Sequence, residues 1–126
     1  MSSAWPALDL SAWSATCDTL HAHTQILGKL AVALAPPEPQ LQHAALRLTA
    51  RGWETAPLPA PDGSGALVVA LDLRQHAALV EYSDGRAQRL PLPPDRAVAD
   101  VTREVLTTAG DPTINTPPQE VPWTVP

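Results

Sequence analysis

His21, Gln25 and Lys29 stand four residues apart. On a helix that spacing stacks them along one flank, because residues four apart are neighbours on the helix surface. An imidazole, a carboxamide and an ammonium arranged in this way could hold an anionic small molecule. Arg51, Asp72 and His76, supplied by a sheet against the helix, would complete the site. Arg51 would add a second cation, and Asp72 beside His76 would form a carboxylate–imidazole pair able to move a proton. The same residues also suit plainer roles. The flank could simply be solvated, and Asp72 could pair with Arg47, Arg74 or Arg89 across the sheet.

Other chemistries find less support. His21, His23, His43 and His76 invite a metal, but two residues on a helix are separated by about 160°, so His21 and His23 cannot share an ion. Zinc wants three or four convergent ligands, which here would require His21 or His23 joined by His76 and a carboxylate such as Asp72. Cys17, the one cysteine, falls on an apolar stripe, where thiols are usually inert packing groups. There is no GxSxG elbow, and Gly63-Ser64-Gly65 joins strands instead of opening a helix, so it is no phosphate loop. Nothing calls for a cofactor or a bound metal.

The elements that must position these residues are punctuated by proline. The fifteen prolines leave four free windows, residues 7–35, 40–56, 62–90 and 95–111, where helix and central strand can lie. The first predicts a helix from Ser11 to Leu34, capped by Asp9 or Ser11 and stopped by Pro36-Pro37. Its stripe is Trp13, Cys17, Leu20, Thr24, Leu27, Ala31 and Leu34, with Gly28 beside it to let another backbone approach. The second alternates: Leu46, Leu48 and Ala50 point inward, Arg47, Thr49 and Arg51 outward, in a half-buried strand. A turn at Arg51-Gly52 and an edge strand over Thr55–Leu58 follow. The third window holds the sheet centre at Leu67–Leu73 and a hairpin through Ser83-Asp84-Gly85-Arg86. With Asp84-Gly85 as its loop, Leu79 faces Leu90 and the Leu79/Leu90/Leu92 side is core. The last window is a second helix over Pro94–Ala109, with Val98, Val101, Val105 and Leu106 as its stripe and Gly110 past its end. The five prolines of residues 111–126 predict an extended tail, with a short strand over Thr113–Asn115.

At 126 residues the chain is one domain by length: an α+β domain over residues 1–110 and the tail over 111–126. The sheet should be an antiparallel meander of four to six strands between a long N-terminal helix and a second helix. With no Phe and one Tyr, the core must be Leu, Val and Ala, with Trp13 as an anchor and Trp5, Trp53 and Trp123 in turns or tail. The net charge of −5 with a single Lys argues against nucleic acid, whose phosphates require clustered cations. The first apolar stretch is broken by Asp18, His21, His23 and Gln25, so it is no membrane span. A lone cysteine and the absence of a basic leader fit the cytoplasm.

Several of these residues recur as a pattern. Trp5-Pro6-x-Leu8, Leu20-His21-x-x-Thr24-Gln25-Ile26-x-Gly28-Lys29 and Thr49-Ala50-Arg51-Gly52 resemble a bacterial family catalogued only as a domain of unknown function. The likeness continues through Asp72, His76, Ser83-Asp84-Gly85 and Glu120-Val121-Pro122. It spans nearly the whole chain in order and implies no activity. Typical members carry a Trp- and His-rich segment before the first strand, and here Gln40-Leu41-Gln42-His43-Ala44-Ala45 lacks the aromatics. Longer members continue into a second half of similar size, so the chain resembles their N-terminal half. That implies a homodimer covering the face a second half would cover. The expectation is a self-associating ligand-binding or interaction domain without catalysis. The alternative is an enzyme acting on a small anionic molecule between the first helix and the sheet.

Overall fold

A computed structural model describes residues 5–7 and 9–110. The expected tail, including Thr113–Asn115 and Trp123, lies outside the described residues. Helix α1 (Leu10–Leu34) leads through a distorted 3-10 turn (Pro39–Ala44) into six strands: β1 (Arg47–Leu48), β2 (Gly52–Glu54), β3 (Leu58–Pro59), β4 (Ala66–Asp72), β5 (Ala77–Tyr82) and β6 (Ala87–Pro91). Helix α2 (Val98–Thr108) follows, with Gly110 just past its end. The α+β class and the antiparallel meander between two helices are as the sequence predicts.

The order across the sheet is β1-β2-β4-β5-β6, with β3 also pairing β4. β2 and β3 share one side of β4, against Ala70–Asp72 and Ala66–Leu67 respectively. Thr55, where the ladder breaks between them, is buried and repairs it. Its amide donates to the Val69 carbonyl at 2.9 Å, and its hydroxyl Oγ1 accepts from the Val69 amide at 3.1 Å. A buried backbone N–H left without a partner would cost about 1–3 kcal/mol, so the hydroxyl supports the ladder here.

Both helices contribute to one core against a single face of the sheet. Leu67, Val69, Leu71, Ala78, Val80 and Leu90 point into it, meeting Ile26, Leu27, Leu30 and Ala31 of α1 and Val101, Val105 and Leu106 of α2. The Tyr82 hydroxyl donates to the Thr108 carbonyl at 2.9 Å and fastens the end of α2 to the sheet.

Three local expectations need correction. The β5–β6 loop has three residues, because the Tyr82 amide donates to the Arg86 carbonyl and the Gly85 amide to the Tyr82 carbonyl, with Gly85 at φ 97°. Leu90 therefore pairs with Ala78, and Leu79 with Arg89. A one-residue change of register exchanges the two faces of a strand, so Val80 is fully buried in the core while Leu79 turns to the other face. The strand at Leu46–Ala50 shrinks to the two residues of β1 at the sheet edge, where Leu48 is 77% exposed while Leu46 packs on the core. Leu73 lies in the turn after β4, its amide donating to the Arg51 carbonyl at 2.7 Å, and its side chain is exposed.

Helix α1 has the predicted period but a different phase. Asp9 caps it, accepting from the Ser11 amide at 3.1 Å. Its buried residues are His23, Ile26, Leu27, Leu30 and Ala31, and none of residues 10–22 is buried. Trp13 and Cys17 are half-buried rather than core.

Candidate functional site

The buried stripe of α1 follows an i, i+3, i+4, i+7, i+8 spacing from His23. A second set, His21, Thr24, Gln25 and Gly28, has the same spacing two residues earlier, and so points about 160° away from the core. These four residues form one wall of an open groove of about 370 Å³. The other wall is the 3-10 turn and the residues after it, Leu41, Ala44, Ala45 and Leu46. One wall therefore offers an imidazole and a carboxamide, the other aliphatic surface.

Each wall carries a feature that packing alone does not require. A glycine inside a helix costs about 1 kcal/mol relative to alanine. A Cβ built at Gly28 would meet nothing within 4 Å. Gly28 therefore admits no close backbone, contrary to expectation; its missing side chain deepens the groove. On the other wall, Gln40 (φ 57°, ψ 28°) and Leu41 (φ 58°, ψ 31°) are both left-handed, a conformation that costs a non-glycine residue about 1–2 kcal/mol. The strained pair sets Leu41 into the groove. The Glu38 amide closes the turn by donating to His43 Nδ1 at 3.2 Å. This segment was not legible as a wall from the sequence. Its one signal was Gln40-Leu41 beginning directly after Pro36-Pro37-Glu38-Pro39, where a continued helix was impossible.

The six residues nominated from the sequence divide. His21 and Gln25 line the groove, and Lys29 sits half-buried one turn beyond Gln25, outside the lining. Arg51 lies across the sheet face opposite the helices. Its Nε donates to Glu54 and its Nη2 to Glu81, each at 2.6 Å. The hydrogen bond to Glu81 is the main cause holding its guanidinium protonated more firmly than usual; burial opposes it and Glu54 adds to it. Asp72 caps the β4–β5 turn, its Oδ1 accepting from the Arg74 and Gln75 amides at 3.0 Å each. His76 is exposed in that turn at φ 51°. These three do not meet the helix flank. Among the described residues no three His, Cys, Asp or Glu side chains gather as metal ligands, and no helix is long and apolar enough to cross a membrane.

Two further polar groups bear on stability. Arg86 stacks on the Tyr82 ring at 4.2 Å and pairs with Asp62 and Asp84, tying the β3–β4 loop to the hairpin. His23 heads the buried stripe, and its Nε2 has no hydrogen-bond partner among the described residues. Burial lowers its pKa from the ordinary value of 6.5. Above that value both folded and unfolded chains hold the ring neutral. Below it the unfolded chain gains the proton first, so stability falls as the pH drops until the folded ring also titrates. Urea unfolding from pH 8 to 5 should show this loss, and His23→Leu should remove the part due to this ring. An unchanged pH profile in His23→Leu would rule out that contribution.

A model for a family of unknown function (DUF5996) matches residues 5–126. The chain belongs to that family. The DUF5996 match runs through both walls of the groove. No curated protein and no solved structure matches the chain.

Proposed function

We propose that this DUF5996 chain is a small-molecule-binding module whose site is the groove between α1 and the 3-10 turn. The carrying observation is that His21, Thr24, Gln25 and Gly28 share one helix face, turned away from the core, and open on an aliphatic wall. A fitting ligand has a hydrogen-bonding or anionic end for His21 and Gln25 and a short apolar body for Leu41 and Leu46. Of the six nominated residues, His21 and Gln25 are the direct contacts. Lys29 adds charge from the next turn. Arg51, with two carboxylate partners, and Asp72, with two turn amides, are engaged structurally. An enzyme using them as acid, base or cation at the helix therefore has less support.

Titration with hexanoate and benzoate, followed by amide and methyl NMR shifts, tests the site. The expected changes fall on His21, Gln25, Gly28, Leu41 and Leu46, and Gln25→Ala weakens the response about tenfold, the scale of one hydrogen bond to a charged group. Shifts confined to other surfaces, or no saturable shift with either probe, would sink this assignment.

Self-association has separate support in Leu48, a leucine 77% exposed on the edge strand β1. A second copy pairing antiparallel at this edge would bury both leucines. Light scattering should then give a dimer mass that Leu48→Lys reduces to the monomer; a monomer at millimolar wild-type concentration would exclude it.

A further inference from the structure

Among the described residues, one side-chain hydrogen bond closes the groove wall formed by Pro39–Ala44. The Glu38 amide donates to His43 Nδ1, bridging five residues across the left-handed pair Gln40-Leu41. An imidazole nitrogen accepts only while it carries no proton, so the bond requires a neutral ring with its hydrogen on Nε2. We propose that His43 is a latch on this wall: neutral, it holds the strained turn and keeps Leu41 in the groove; protonated from solvent at Nδ1, it loses the lone pair and releases the turn.

The strain gives the release a direction. With the latch open, Gln40 and Leu41 can leave the left-handed region, and the aliphatic wall moves away from α1. Among the element pairs in close contact, α1 is the one that packs on this turn. His21 faces it directly, with Asp18 one turn before and Lys29 one turn beyond Gln25. Glu38 and Arg47 flank the turn along the chain. His21 is a second imidazole on the facing wall, so the two rings must be followed separately. The latch deepens the binding proposal by making the groove pH-dependent, yet it can be tested with no ligand present.

The experiment is a pH titration of the labelled protein by NMR, each histidine followed through its own ring resonances. The Glu38 amide shift should share the His43 midpoint, and protection of the amides of residues 38 and 40–46, corrected for the pH dependence of intrinsic exchange, should fall about fivefold on the acid side, as loss of one modest hydrogen bond predicts. His43→Asn, whose Oδ1 can accept in place of Nδ1 and does not titrate, should flatten both responses. In His43→Ala the same amides should show the lowered protection at every pH. A Glu38 amide indifferent to His43 protonation, or slow exchange in His43→Ala, would overturn the latch. Hexanoate or benzoate bound in the groove with pH-independent affinity would also overturn it while leaving the binding proposal intact. A titrating latch with neither probe bound would leave the latch standing and remove the binding proposal.

Discussion

Gly52→Ala should destabilise the protein by about 3–5 kcal/mol, in the range reserved for backbone clashes and overpacking. Gly52 opens β2 at φ 149°, and a Cβ there would lie 2.1 Å from the Leu71 carbonyl oxygen and 3.1 Å from Leu73 Cγ. The carbonyl belongs to the central strand, which cannot retreat without breaking its pairing with β5. Moving β2 instead would disrupt the Gly52–Asp72 pair and the turn bonds of 2.8 and 3.3 Å between Thr49 and Gly52. It would also pull Arg51 from Glu54 and Glu81. For a domain whose whole stability is about 5–15 kcal/mol, such a loss threatens folding at ordinary temperature. Urea unfolding followed by tryptophan fluorescence measures it. Gly63→Ala is the control, since Gly63 at φ 76° has nothing within 4 Å of its added Cβ; a loss at Gly52 no larger than at Gly63 would refute the clash.

Gly52 also shows what a linear sequence conveys and what it conceals. Arg51-Gly52 reads as a turn, but the close approach to Leu71 depends on a strand residue nineteen positions away. Helix α1 repeats the lesson. Its extent and cap were legible because Asp9 and Pro36-Pro37 act locally. Trp13, Cys17 and Leu20 set the apolar phase of the first turns, where no residue is buried, whereas the buried residues are His23, Ile26, Leu27, Leu30 and Ala31 and Thr24 lines the groove. Periodicity reports that a helix has an apolar side but not which stretch is docked. The β5–β6 register failed for a similar reason: Asp84-Gly85 announces a hairpin, while the difference between a two- and a three-residue loop rests on one hydrogen bond from Tyr82 to Arg86. The candidate site was half legible. His21 and Gln25 share a helix flank by spacing alone, whereas Arg51, Asp72 and His76 required knowing which sheet face meets the helix.

Gly28→Leu separates folding from binding, because the two should move in opposite directions. Leucine is a far better helix former than glycine, worth roughly 0.5–1 kcal/mol in a helix interior, and the described structure leaves room beyond the Cβ. Stability should therefore rise. The new side chain would project between Thr24, Gln25 and Leu46, in the groove the glycine now opens, and displace any ligand seated there. Binding of hexanoate or benzoate should fall by at least fiftyfold, or about 2.3 kcal/mol, with Gly28→Ala intermediate. Few substitutions are expected to stabilise a protein while removing its activity; where this occurs, the original residue is serving function against local stability. If Gly28→Leu destabilised the fold, an unseen close contact would explain the glycine. If it stabilised the fold and left binding unchanged, the groove would not be where the ligand sits.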